Sequence, residues 1–225
     1  AEAKDRAVFA EQMIGIVSHD LRNPLSAISM ATALLSRGEV TAPQQRLLGN
    51  ITRSTERATR LIADLLDFTQ ARLGKGLPVE RRAIDLHRTV AEAVDELRLL
   101  YPARVLRHDR AGAGACAADA NRLVQLIGNL VSNAMTYGTP ATPVTVRSAI
   151  DETSFSLAIH NEGPPIAAEL QAGLFQPMTR GTDAVSASRS VGLGLFIVRE
   201  IARAHDGTTF VRSTVAEGTT FGAVL

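Results

Sequence analysis

A chain of 225 residues is long enough for one large domain or two modest ones. Lys+Arg is 24 against 23 for Asp+Glu, so the formal charge of +1 removes any bulk electrostatic case for a nucleic-acid or membrane-surface partner, and 45% hydrophobic residues exclude disorder throughout. Aromatics are 4% with no Trp, so Leu, Ile, Val and Ala must build the core, and the single cysteine, Cys116, can form neither an internal disulfide nor a cysteine-based metal centre.

The first part of the chain predicts two long helices. Ile14, Val17, Leu21, Pro24, Ile28, Ala31 and Leu35 recur at steps of three and four, and Pro24 inside that stripe should kink the first helix. Gly38 punctuates the break. Thr41 with Gln44 three residues on forms a capping box that opens the second helix. Along it Leu47, Ile51, Ser54, Ala58, Leu61, Leu65 and Phe68 make a heptad seam. Two helices cannot close a core around such a seam, and two-fold doubling into a four-helix bundle is the simplest solution.

Gly74 to Pro78 predicts a linker, followed by a strand from Leu77 to Ala83. Asp85 caps a helix through Leu100 with Val90, Val94 and Leu97 on one face, and a short strand from Arg104 to His108 follows. The Ala/Gly-rich stretch from Ala111 to Ala118 reads as a loop, and Asp119 as the cap of a helix carrying Leu123, Leu126, Ile127 and Leu130. Val144–Ile150 and Ser154–Ile159 alternate as a hairpin. A helix over Gly194–Ala204 and an antiparallel pair, Thr208–Ser213 with Thr219–Leu225, complete the chain. Short-turned strand pairs with interspersed helices predict an α+β sandwich with the helices on one face.

Several short strings carry chemistry. In Ser18 to Leu25, SHDLRNPL, His19 and Asn23 stand one helical turn apart, and the neighbouring Asp20 carboxylate can accept an imidazole proton. In Asn129 to Gly138, Asn129 and Asn133 are one turn apart, so their amide oxygens can converge on one cation or phosphate. His160 to Ile166, HNEGPPI, closes a strand in a Gly/Pro turn, and Gly192 and Gly194 precede an amphipathic helix whose N-terminal amides suit an anion. His87, His108, His160 and His205 are not spaced as ligands of one metal and read as structural.

The ordered set resembles the catalytic core of the sensor histidine kinases over nearly the whole chain. SHDLRNPL is similar to their H-box, NLVSNAMTYG to the N-box, HNEGPPI to the first glycine box, LFQPMTR (Leu174 to Arg180) to the F-box, SVGLGLFIVREIARAHDG to the second glycine box and EGTTF to the last. The resemblance implies a homodimeric phosphotransfer hairpin over residues 1–74 and a Bergerat-type ATP-binding domain over 75–225. It makes His19 the phosphorylated residue, Asp20 its base and Asn23 the water-orienting group of a phosphatase activity. It makes Asn129 and Asn133 ligands of Mg²⁺ on ATP, and Asn161, Gly163, Arg180, Gly192, Gly194 and Thr219 contacts of ATP, with Gly181 to Arg189 a lid. The implied partner is a response-regulator receiver domain.

The helical character of the first residues predicts a fragment whose sensor region lies upstream. The fragment itself is expected to be cytoplasmic, with any membrane anchor in the missing part. Departures from the family pattern are Asn161 for Asp, Pro165 for Gly, Thr136 for Lys, Met178 for Phe, and Ser190 and Ala216 for Gly. They leave open an alternative, a phosphotransfer or dimerisation scaffold whose ATP-binding domain is degenerate.

Overall fold

The computed structural model describes residues 20–21, 23–74, 76–177 and 192–225. It divides into two compact units, Ala1–Lys75 and Gly76–Leu225. The first is a helical hairpin. Helix α1 is described over 23–35, and α2 spans Ala42–Arg72. The capping box is present: Thr41 accepts from the Gln44 N–H, Gln44 Oε1 accepts from the Thr41 N–H at 2.8 Å, and a proline stands in the first turn. Residue 22 lies outside the described set, and with it the kink expected at Pro24.

The most buried side chains of the hairpin are polar: Thr32, Thr55 and Asp67. Thr32 and Thr55 turn their hydroxyls back to the carbonyls of Ile28 and Ile51, at 2.7 and 2.9 Å, and so enter the interior with no unsatisfied donor. The apolar seam faces outward instead. Leu21, Ile28, Leu35, Leu47, Ile51 and Leu65 are 43–61% exposed in the single chain.

The second unit is a mixed sheet covered by helices. Its elements are β1 (Arg82–Asp85), α3 (Leu86–Leu100), β2 (Leu106–Ala111), β3 (Ala115–Ala118), α4 (Ala120–Tyr137), β4 (Val144–Ile150), β5 (Phe155–Asn161), α5 (Ala168–Gln171), α6 (Gly194–Ala204), β6 (Thr208–Thr214) and β7 (Gly218–Val224). The main sheet has the order β2-β4-β5-β7-β6, parallel between β2 and β4 and antiparallel elsewhere. Val144, Val146, Leu157, Ile159, Phe221 and Ala223 share one buried face in register. The helices α3, α4 and α6 cover that face, with Leu86, Val90, Leu123, Leu126, Ile197 and Ile201 fully buried. The core is aliphatic, as the composition requires. Phe175 and Phe221 meet edge to face, 6.0 Å between centroids.

Three expectations shift. The strand expected over Leu77–Ala83 begins only at Arg82, because the chain before it is a strap. Leu77 is buried, Glu80 N–H donates to Asp119 Oδ2 at 2.9 Å, and Arg81 donates to the Ala204 carbonyl at 2.6 Å and pairs with Asp206. The stretch expected as a loop over Ala111–Ala118 contains β3, which pairs antiparallel with β1. The strand expected at Arg104–His108 lies two residues later and runs parallel to β4, with α4 as the crossover.

Candidate nucleotide site

Helix α4 is the spine of the site. Asp119 caps it, accepting from the backbone N–H of Asn121 and Arg122 at 3.0 and 3.2 Å. Burial raises the Asp119 pKa, but the N–H groups of Glu80, Arg122 and Asn121 outweigh it and hold the carboxyl below its usual range. The buried stripe of Leu123, Ile127, Leu130 and Val131 fixes the helix's rotation and turns Asn129 and Asn133 to another face, half-buried, one turn apart.

At one end Asn129 meets the start of α6. Its Oδ1 lies 3.5 Å from where a Gly194 Cβ would stand, and its Nδ2 is buried without a hydrogen-bond partner among the described residues. Among the described residues no side chain caps α6, whose N-cap is Leu193, and Gly192 before it has φ +75°. A helix N-terminus with uncapped amides beside an unpaired buried amide forms a concentrated set of donors.

At the other end three strands line up. Asn161 of β5 is the register partner of Thr219 of β7, which is in turn the partner of Ser213 of β6. Asn161 and Thr219 are 5% and 4% exposed. Asn161 Nδ2 donates to the Glu162 carbonyl at 3.1 Å, and that carbonyl also takes the Thr139 N–H at 2.7 Å. A half-turn of the amide would set oxygen against oxygen, so Asn161 presents Oδ1, its acceptor end, away from Glu162. Gly163 follows in close approach: a Cβ there would lie 3.0 Å from the Tyr137 carbonyl and 3.5 Å from Asn161 Nδ2.

Of the residues singled out from the sequence, Asn129 and Gly194 meet at one end, and Asn161, Gly163 and Thr219 at the other. Asp20 and Asn23 are exposed on the hairpin. His19, Arg180 and the expected lid lie outside the described residues. Two participants carry no motif. Arg104 donates from Nε to the Thr142 carbonyl at 3.2 Å and buries an Nη2 with no partner among the described residues beside Gly138. Ser213 links Thr219 to the loop after Gly163. Once the terminal hairpin is read, its register alone places Ser213 opposite Thr219.

The histidines other than His19 do not gather at one point, although His87 and His108 share a partner. His160 sits on the opposite face of β5 from Asn161 and touches Thr220 Oγ1 at 3.1 Å. His87 Nδ1 and His108 Nε2 both bond the buried Ser148 hydroxyl, at 2.7 and 2.8 Å. His205 accepts the Asp119 N–H on Nε2 at 3.1 Å. Among the described residues no group of three or more His, Cys, Asp and Glu could hold a metal. Nor is any of their helices long and apolar enough to cross a membrane.

An aliphatic mixed sheet with helices on one face and polar groups gathered along α4 defines a domain of the kinase–gyrase–chaperone ATPase class, and the comparisons agree. Residues 118–225 match the family described as "Histidine kinase-, DNA gyrase B-, and HSP90-like ATPase", and residues 10–74 match the "His Kinase A (phospho-acceptor) domain". The chain is 36% identical over 206 residues to the probable sensor histidine kinase TcrY of Mycobacterium tuberculosis, covering 90% of this chain and 43% of that protein. It is 33% identical over 198 residues to the bacteriophytochrome of Pseudomonas aeruginosa, covering 88% of this chain and 27% of that protein. The crystal structure of full-length ShkA in complex with AMPPNP has the same fold, with a TM-score of 0.70 at 23% identity over 95% of this chain and 45% of that one. The chain belongs to the sensor histidine kinase family and carries its catalytic core. It spans less than half the length of these relatives.

Proposed function

We propose that this chain is a protein-histidine kinase that phosphorylates its own His19 from ATP and passes the phosphoryl group to an aspartate of a response-regulator receiver domain. In this reading residues 1–74 are the dimerisation and phosphotransfer domain and 75–225 the catalytic domain. The observation that carries it is the pair of polar groups that α4 joins. An acceptor, Asn161 Oδ1, stands by the end of α4, and the Nδ2 of Asn129, without a partner among the described residues, stands by the start of α6. Such a pair suits a ligand with an amino-bearing base at one end and phosphates at the other.

The donor set at the phosphate end fits Mg²⁺. Amide oxygens one turn apart are hard ligands, and a magnesium ion held by few protein groups keeps its water and phosphate oxygens. Asn129 and Asn133 would hold it through Oδ1, while Asn129 Nδ2 donates to a phosphate oxygen. The metal supplies charge neutralisation at the transferring group. Gly192, Gly194 and Arg180 add backbone and guanidinium donors there. In the transfer a His19 nitrogen bonds to the γ-phosphorus, the bond to the ADP oxygen breaks, and Asp20 takes the imidazole proton. Asn23 orients water for removal of phosphate from the receiver aspartate.

The exposed seam through Leu21, Ile28, Leu47, Ile51 and Leu65 supports a homodimeric hairpin. Labelling with γ-phosphate-labelled ATP tests the kinase reading. His19→Gln should abolish an acid-labile label while nucleotide affinity, measured by calorimetry, stays within about twofold. A His19→Gln protein that still labels would refute the assignment.

A further inference from the structure

Helices α4 and α6 pack together and are joined at two places. At one, the Asp119 N–H ahead of α4 donates to Nε2 of His205, just behind α6, at 3.1 Å. At the other, Asn129 abuts Gly194 at the start of α6. The helices therefore run antiparallel, and the two places are about 15 Å apart at 1.5 Å per residue. The buried side chains of both helices are mostly Leu, Ile, Val and Ala. Such contacts are non-directional and resist a small slide less sharply than a hydrogen bond does. The His205 bond has a fixed sense. Nδ1 lies 2.9 Å from the Ile201 carbonyl, which can only accept, so Nδ1 carries the hydrogen and Nε2 the lone pair that the Asp119 N–H needs. The strap closes over the same place. Glu80 N–H donates to Asp119, Arg122 Nε to the Pro78 carbonyl at 3.4 Å, and Arg81 Nη2 to the Ala204 carbonyl and the Asp206 carboxylate. One short segment thus holds the first residues of α4 and the last of α6.

From this we infer that Arg81 and His205 are positioning residues for the phosphate end of the site. They fix how far α6 stands along α4, and so hold Gly194 and the first amides of α6 against Asn129. This rests on the ATP-site reading above. Neither residue needs to touch the nucleotide. A helix moves along its axis as a unit, so a slip of one residue rise at His205, about 1.5 Å, reaches Gly194 undiminished. A displacement of that size breaks a hydrogen bond. Asn161 stands on β5 and takes its orientation from the Glu162 carbonyl, away from these ties. The base end is therefore indifferent to them.

Amide resonances of the whole chain without nucleotide, together with calorimetric affinities for ATP with Mg²⁺, test it. Arg81→Met should move the resonances of the Gly194 N–H and the Asn129 side-chain amide and leave that of the Asn161 amide in place. It should also weaken ATP about fivefold, the low end of coupling between separated sites. His205→Leu should do the same. His205→Gln should restore the parent values, because a Gln amide can accept from Asp119 through its oxygen and donate to Ile201 through its nitrogen. Thermal melting shows whether each variant folds, and if His205→Leu does not, Arg81→Met at the surface carries the test. The inference is overturned if Arg81→Met leaves the Gly194 and Asn129 resonances unmoved, if Asn161 moves as far as they do, or if ATP affinity stays within about twofold. It is equally overturned if His205→Gln behaves as a folded His205→Leu does. A parent chain that binds no nucleotide would overturn the ATP-site reading, while the resonances would still decide whether the strap sets the register of α6 on α4.

Discussion

Replacing Asn129 by Leu should stabilise the protein without nucleotide and weaken nucleotide binding. Leu keeps the branching of Asn at Cγ, so the substitution leaves no cavity, and its bulkier methyl groups face Gly194, which has no side chain to displace. What it removes is a buried Nδ2 with no partner among the described residues, beside the start of α6. An unsatisfied buried donor costs about 1–3 kcal/mol. In a chain of this size each kcal/mol moves the melting temperature by roughly 2–4 °C. The Asn129→Leu melt should therefore rise by about 2–12 °C in the absence of ligand. The same change removes an oxygen from the cation and a donor from the phosphates, so the further stabilisation that saturating ATP with Mg²⁺ gives the unaltered chain should be largely lost. Differential scanning calorimetry with and without nucleotide reads both effects in one experiment. A variant that melts lower than the parent without ligand would mean that the amide is satisfied in the free protein. An undiminished nucleotide shift would mean that Asn129 does not face the phosphates.

Leu65→Lys places a charge on a seam residue that is 50% exposed in the single chain, so the hairpin should keep its helicity by circular dichroism while light scattering shows the mass fall from two chains to one. Gly112→Ala should prevent native folding of the second unit, read by thermal melting, because φ is +74° and the added methyl would collide with the Ile150 carbonyl. Burial, helped by Arg110, His87 and Arg98, lowers the His108 pKa from 6.5, so the folded state favours the neutral ring. That stability is fully present above about pH 6.5 and is lost as the pH falls through the folded value, so urea midpoints should decline below pH 6.5 and decline less in His108→Gln.

Elements with a local signature were legible in the sequence. The Thr41–Gln44 box, the caps at Asp85 and Asp119 and the period of α4 and α6 all depend on residues within a turn or two of each other. Strand β3 was not, because Ala-Cys-Ala-Ala has neither the β-branched residues nor the alternation that marks a strand, and only its pairing with β1 makes it one. The strap before β1 was misread for a related reason: Leu77 is apolar because it is buried, not because it is in a sheet. In the site, the motif residues stood out while the polarity of Asn161 did not. That polarity depends on a main-chain carbonyl whose direction no side chain announces. Arg104, whose Nη2 has no partner among the described residues, lies far in sequence from the glycine it abuts.

The parallel pairing of β2 with β4, and the strap that ties Glu80 and Arg81 to Asp119 and Ala204, set where this protein can be recombined with a relative. The recognisable ATPase sequence starts at residue 118, yet a chimaera joined there would take α4 from one parent and α3, β1 and β2 from the other. The edge strand of the sheet would then meet a foreign register, and the cap of α4 would lose the Glu80 amide it evolved with. A join at Gly76 keeps each of these pairs within one parent.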